Sequence, residues 1–181
     1  MSRLSELEGA VLGLVWAEGP CTPYAVRRVF RQSPSPHWSG SAGAIYPLVR
    51  RLESRGLIRS RAHATGGRAS TLYRVTPAGM RALRGWLEPP LPETAIGVPV
   101  DPLRTRLRFL GALAPAKRAA FLAHAEVRLE VHLAAARRDL ERRRQKGDRF
   151  DCLMARGAIL MLRARIAWVR EAVRYLAARS R

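Results

Sequence analysis

The segment EPPLPETAIGVPVDP, residues 88–102, sets the first limit on what this chain can become. Its five prolines fix φ and remove backbone donors, so no continuous helix or central strand can run through it. It reads as a linker or an extended connection. The chain of 181 residues then divides into residues 1–88, a Pro-rich join over 89–101, and residues 102–181.

Ahead of the join, Ser5 and Glu8 have capping-box spacing, and Leu4, Leu7, Val11, Leu14 and Val15 follow with a helical period. Thr22-Pro23 starts a second helix, with Pro at the position where no N–H is needed. That helix turns Val26, Val29 and Phe30 inward and Arg27, Arg28 and Arg31 outward. SPSPHWSG, residues 33–40, reads as a loop. SGSAGAIYPLVRRLESRGLI, residues 39–58, reads as a third helix that runs into a strand. GLIRSRAHA and TLYRVT, joined by TGGRAS, form a hairpin with a longer loop. Thr76-Pro77 opens another helix, with Met80, Leu83 and Leu87 on one side.

Three helices followed by a hairpin make a winged helix-turn-helix, whose third helix enters the major groove. That reading accounts for two poor helix residues, Gly43 and Pro47, at the start of the third helix. Gly43 and Ala44 keep its front thin enough to sit deep in a groove about 12 Å wide. Pro47 costs least within the first turn or at a kink just beyond it. Ser39 and Ser41 can cap the helix and offer hydroxyls and N–H groups to phosphate. Tyr46 offers a ring to a thymine methyl or sugar, and Arg50 and Arg51 are placed for backbone contacts. Arg68, at the hairpin tip, reaches toward phosphate or the minor groove. Tyr24 is balanced between a core aromatic and a DNA contact, and Tyr73 leans to the core.

Past the join the pattern is wholly helical. Asp101-Pro102 caps a short helix with Leu103, Leu107 and Leu110 inward. Pro115 opens a helix that can run to Gly147, and Asp151 starts a second long one. The first carries a heptad-like stripe through Leu122, Ala125, Leu129, His132 or Leu133, Ala136 and Leu140. The second carries Met154, Gly157, Met161, Ala164, Trp168, Ala172 and Tyr175. These stripes predict an antiparallel pair. Val127, Val131, Ile159, Ile166, Val169 and Leu176 are then left for a second copy, which makes the unit a dimerisation domain. The expected fold is mainly α with a small β-hairpin: an N-terminal winged helix-turn-helix and a C-terminal antiparallel long-helix domain. Dimerisation is expected to involve Leu122, Leu129, Leu133, Leu140, Met154, Met161, Trp168 and Tyr175.

Charge points to the partner. The chain holds 33 basic and 14 acidic residues, a net +19, which favours polyanions such as double-stranded DNA. Genome bias toward GC-rich codons can explain Arg in place of Lys, but not the excess of bases over acids. Cys21 and Cys152 lack the spacing of a disulfide framework or zinc site. The four histidines form no HExxH or deaminase pattern, and no nucleophile elbow or phosphate-cradling loop is present. The expectation is therefore no enzyme, no cofactor and no metal. MSRLSELEGA lacks a signal segment and no apolar run reaches the ~18 residues of a membrane span, so a cytoplasmic protein is expected.

Residues 4 to 88 resemble the PadR family of bacterial transcriptional regulators. The resemblance rests on LGLVWAEGP, the Tyr24 of TPYAV, GAIYPLVRRLESRGLI and LYRVTPAGMRAL. The family's Gly-x-x-Tyr-Pro is matched by Gly43, Tyr46 and Pro47, and its Tyr-x-x-Thr-x-x-Gly by Tyr73, Thr76 and Gly79. This chain has Ala42-Gly43-Ala44 where the family has Pro-Gly-Thr, and Pro23 where the family commonly has Gly. Both departures bear on base preference. Residues 102–181 are similar to the longer helical dimerisation domain of members akin to virulence activators. The resemblance implies a homodimeric regulator, a repressor more than an activator, reading a pseudo-palindromic operator and responsive to a small aromatic or hydrophobic effector near Trp168. Two rival classes are a non-specific basic nucleic-acid-binding protein and a protein-interaction module that never touches DNA.

Overall fold

A computed structural model of the chain describes residues 3–33, 35–65 and 68–178. Its residues fall into two compact units, 1–99 and 100–181. In the first, the order is α1 (Glu6–Ala17), α2 (Pro23–Gln32), α3 (Pro36–Gly40), a 3-10 turn (Ser41–Ala44) and α4 (Ile45–Ser54). Strands β1 (Ile58–Thr65) and β2 (Arg68–Val75) follow, then α5 (Pro77–Leu87) and the single turn α6 (Glu93–Ile96). This is a winged helix.

Local chemistry starts and stops these elements. Ser5 Oγ accepts from the Glu8 N–H at 3.3 Å while Glu8 Oε2 accepts from the Ser5 N–H at 2.9 Å, the reciprocal capping box. Thr22 and Thr76 each cap a helix whose first residue is proline. Thr76 does more than cap. Its hydroxyl accepts from the Gly79 N–H at 3.0 Å and reaches the Gly56 carbonyl at 2.7 Å, and its own N–H donates to the Leu57 carbonyl at 3.1 Å. A Cβ at residue 79 would collide with that Leu57 carbonyl, so only glycine lets α5 come this close. Tyr73 exchanges backbone hydrogen bonds with Cys21 at 3.1 and 2.8 Å, tying β2 to the start of α2.

The core gathers Val11, Leu12 and Val15 from α1, Val26 and Phe30 from α2, and Ile45, Leu48, Val49 and Leu52 from α4. Each fully buried side chain of this size contributes about 1.5–3 kcal/mol. Glu8 is the exception, a buried carboxylate. Its Oε1 meets Arg55 Nη1 at 3.0 Å and Arg51 Nε at 3.3 Å, joining the front of α1 to the end of α4.

Three local expectations change. SPSPHWSG is not all loop: Pro36–Gly40 is helical, because the Trp38 ring packs edge-on to Phe30 at 5.4 Å and draws the segment onto the core. The hairpin is longer than expected. Register runs from Ile58↔Val75 to Thr65↔Arg68, so most of TGGRAS is strand. The Pro-rich join is not wholly extended, since Glu93–Ile96 makes one helical turn.

The second unit contains α7 (Pro102–Arg108), a 3-10 turn (Leu110–Ala112), α8 (Pro115–Lys146) and α9 (Arg149–Ala178). Asp101 Oδ1 caps α7, and Asp148 Oδ1 caps α9 by accepting from the N–H groups of Phe150 and Asp151. Gly147, with φ +79°, ends α8 in the left-handed conformation. Arg143 spans the turn, 2.7 Å from both Asp139 and Asp151. Arg170 ties α9 to Glu126 and Glu130 of α8 at 2.6 and 3.1 Å. Among the described residues no helix is long and apolar enough to cross a membrane.

On α8 the inward face is the expected one: Leu122, Ala125, Leu129, Leu133, Ala136 and Leu140 are buried, while His132 is exposed. On α9 the faces are exchanged. Ala155, Ile159, Ile166 and Val169 are the buried stripe, whereas Met154, Met161 and Tyr175 stand 59, 60 and 57% exposed. Trp168 is half-buried against the same core. Leu122, Leu129, Leu133 and Leu140 are thus spent inside one chain and cannot form a surface for a second. Ile159, Ile166 and Val169 are likewise occupied, by the contact with α8.

Burial opposes the charge on Glu8, but the Ser5 N–H and the Arg55 and Arg51 guanidiniums outweigh it, holding the carboxyl below its usual value of 4.5. A carboxyl depressed by folding stabilises the native state above the unfolded pKa and loses that contribution as pH falls through the folded one. Glu8→Ala is therefore expected to cost about 1–2 kcal/mol in urea unfolding at neutral pH. The difference from wild type should shrink as the pH is taken well below 4.5. A constant difference across that range would show that the charge of Glu8 is irrelevant.

Candidate nucleic-acid interface

Helix α4 is divided lengthwise. Ile45, Leu48, Val49 and Leu52 are buried; Gly43, Ala44, Tyr46, Pro47, Arg50 and Arg51 are exposed. The division follows from 3- and 4-residue spacing of aliphatic side chains, which fixes the helix's rotation about its axis. The 3-10 turn ahead of it explains Pro47. Proline cannot donate to the carbonyl four residues back, and that carbonyl, of Gly43, belongs to a turn whose bonds already run three residues apart.

Gly43 has no internal justification. Its φ is not positive, and a Cβ built there would meet nothing within 4 Å. Gly79, by contrast, is demanded by Leu57. A glycine the fold does not need, on the outer face of a helix, marks a place where something else comes close.

Tyr46, 43% exposed, lies one turn from Arg50 on that outer face. Arg50 and Arg51 differ in their commitments. Arg51 is drawn to Glu8, though its side chain keeps 60% of its accessibility. Tyr73 is half-buried in the core, and its phenol is pushed above the ordinary value by burial and then by the neighbouring Glu53 carboxylate. It is a packing residue.

Ser39 and Ser41 are half-buried and do not cap as expected. The caps are Gly40 for the 3-10 turn and Ala44 for α4, neither with a side-chain capping bond. The Ser39 hydroxyl instead donates to the Ser35 carbonyl at 3.2 Å, because α3 extends the helical path upstream and leaves no free helix start at residue 41. Arg68 begins β2, but its side chain and the Gly66-Gly67 tip lie outside the described residues.

Helix α2 adds residues that the sequence reading left as a plain solvent face. Tyr24 is 60% exposed, which removes the core alternative. With Arg27, Arg28, Arg31 and Gln32 it lines a shallow groove. Arg27 Nε is buried there without a hydrogen-bond acceptor, a donor left for an anion to satisfy. The signal was legible as a 24, 27, 28, 31 spacing. On the hairpin, Arg59 lies directly across from Arg74. Like charges in such a pair repel, and both are exposed.

Three helical or strand elements thus turn arginine outward, with two exposed tyrosines and an unneeded glycine among them. Such a surface can neutralise phosphates with guanidinium groups and stack or hydrogen-bond with its tyrosines.

Known proteins supply the context. Residues 11–85 match the sequence pattern of the Transcriptional regulator PadR-like family. The Negative transcriptional regulator PadR of Bacillus subtilis is 31% identical over 91 residues, 49% of this chain and 50% of that protein. Transcriptional regulator Rv3488 of Mycobacterium tuberculosis is 49% identical over 43 residues, 24% of this chain and 40% of that one. The chain therefore spans half or less of the curated relatives it matches. The backbone is similar to Bacillus subtilis PadR in complex with operator DNA, with TM-score 0.82 at 19% identity over 96% of this chain and 99% of that one. The same protein in complex with p-coumaric acid gives TM-score 0.72 at 20% identity, over 94 and 98%. The Vibrio cholerae virulence activator AphA gives 0.71 at 20% identity, over 96 and 99%. At those identities the structures establish a shared fold, long C-terminal helices included. Through residues 11–85, the chain belongs to the transcriptional regulator PadR-like family.

Proposed function

We propose that the protein is a sequence-specific DNA-binding regulator that acts as a homodimer on a pseudo-palindromic operator, represses transcription, and responds to a small aromatic or hydrophobic effector. The observation that carries the reading is the outer face of α4, with Gly43, Tyr46 and Arg50 exposed over a fully buried inner face. Arginines on α2 and the hairpin supply phosphate contacts, so most of the affinity is electrostatic and falls steeply with salt. α4 supplies sequence choice in the major groove.

The negative regulator named among the relatives supports repression, and its p-coumaric acid complex supports an effector. The homodimer is supported by the outer face of α9, where Leu153, Met154, Leu160 and Met161 are all exposed. Four large apolar side chains along one helix face are a patch that a soluble chain covers with a partner. Wide distribution of arginine also favours the rival reading, a basic protein that grips any duplex.

Selection of bound fragments from a genomic library, followed by mobility shift with the winning duplex and a random one, separates the two readings. The regulator prefers its site by 10³-fold or more; near-equal affinities would leave only the non-specific protein. Tyr46→Ala is expected to weaken the selected duplex by about tenfold or more while changing the random one little. Gly43→Ala is the sharper variant. It should leave folding stability unchanged or raise it by up to about 1 kcal/mol, yet lower affinity for the selected duplex. Wild-type affinity in that variant would remove α4 from the groove. Replacement of an exposed α9 side chain, Met161→Glu, should shift the mass in analytical ultracentrifugation from two chains to one; an unchanged mass would place the dimer contact elsewhere.

A further inference from the structure

Within the second unit, one side of α8 faces α7 and α9 across an open cavity of about 270 Å³. Its floor is apolar: Leu103 of α7 with Phe121, Ala125 and Leu129 of α8. Its rim is basic, with Arg106 of α7, His124 and Arg128 of α8, and Arg165 of α9. No carboxylate is among the described residues that line it. The acids of this region look elsewhere. Glu126 and Glu130 hold Arg170, and Asp101 takes one Arg165 nitrogen, Nη2, at 2.8 Å. That still leaves Arg165 Nε buried with no acceptor. A buried guanidinium N–H without a partner costs stability unless something accepts from it.

From these features we infer that the cavity is a binding site for a small organic acid: one or two rings for the apolar floor and a carboxylate for the basic rim. The class follows from the chemistry. An uncharged hydrocarbon would leave the guanidiniums unanswered, and inorganic phosphate would leave Leu103 and Phe121 exposed to water. The volume sits at the small end of ligand pockets, which excludes a nucleotide or a long-chain lipid. Arg128 contributes the strongest discrimination, because it is exposed at the rim and its planar fork matches a carboxylate. Trp168, half-buried in the core, does not line this cavity, so the effector position expected from sequence moves to the α7–α8 side. The site deepens the effector-responsive reading and rests on it for its biological use, though not for its binding chemistry.

The test is calorimetric titration of the full chain with 2-naphthoate and with its neutral counterpart, 2-naphthamide. The acid is expected to bind at least tenfold more tightly than the amide. Arg128→Gln should abolish that preference while leaving amide binding as it was, which also shows that the variant is folded. Arg137→Gln, an exposed arginine of α8 outside the cavity, should change nothing. Equal affinity for acid and amide, no binding of the acid, or equal losses in the two arginine variants would each overturn the site. Mobility shifts without ligand keep the two proposals apart. Selective duplex binding with no naphthoate binding sinks the cavity alone, whereas naphthoate binding without selective duplex recognition sinks the regulator. A loss of duplex affinity in Arg128→Gln, with no change in acid binding, would reassign that arginine to DNA.

Discussion

What the first unit can offer a partner depends on how α4 is gripped from behind. Ile45, Leu48, Val49 and Leu52 leave almost no accessible surface, and the Arg51 and Arg55 that follow them are held by Glu8. Apolar burial fixes the rotation of the helix; the ion pairs fix its far end. Rotate α4 by one residue, about 100°, and Tyr46 would enter the core while Leu48 or Val49 faced water. The outer face is therefore a consequence of the inner one. Glu8 carries a second duty, since the same carboxylate closes the capping box of α1, so the start of one helix and the end of another share a single charge.

The winged helix was legible because its punctuation is local. Ser5 with Glu8, Thr22-Pro23 and Thr76-Pro77 each announce a helix start by backbone chemistry that needs no tertiary context. The Tyr-x-x-Thr-x-x-Gly spacing was legible as a signature but not as a mechanism. Only coordinates show Thr76 bonded to the α4–β1 corner and Gly79 pressed on the Leu57 carbonyl. The misread segments share one cause. Pro36–Gly40 folds because Trp38 finds Phe30, a contact no local rule foresees. On α9 the stripes through Met154, Met161, Trp168 and Tyr175 and through Ala155, Ile159, Ile166 and Val169 have the same seven-residue repeat. A helix apolar on two sides does not declare which side meets α8.

The candidate interface was legible in part. Gly43, Tyr46 and Arg50 stood out by their spacing, and they are exposed as expected. Ser39 and Ser41 did not keep their capping role, because helical structure begins earlier than the loop-like prolines imply. Arg27, Arg28 and Arg31 were visible as an outward face but gained meaning only from the groove they share with Tyr24 and from the buried Arg27 Nε. The basic cavity beside α8 was out of reach of pattern reading, since its walls come from three helices.

The pairing of Arg59 with Arg74 across the hairpin has a consequence for how the wing behaves by itself. Two cations facing each other across neighbouring strands make the ribbon a poorer ladder than its hydrogen bonds alone would give. Their repulsion is relieved by dissolved counterions, or by any row of negative charge laid alongside. The wing is thus stiffest in the company of a polyanion, and its own rigidity becomes a report on what lies next to it.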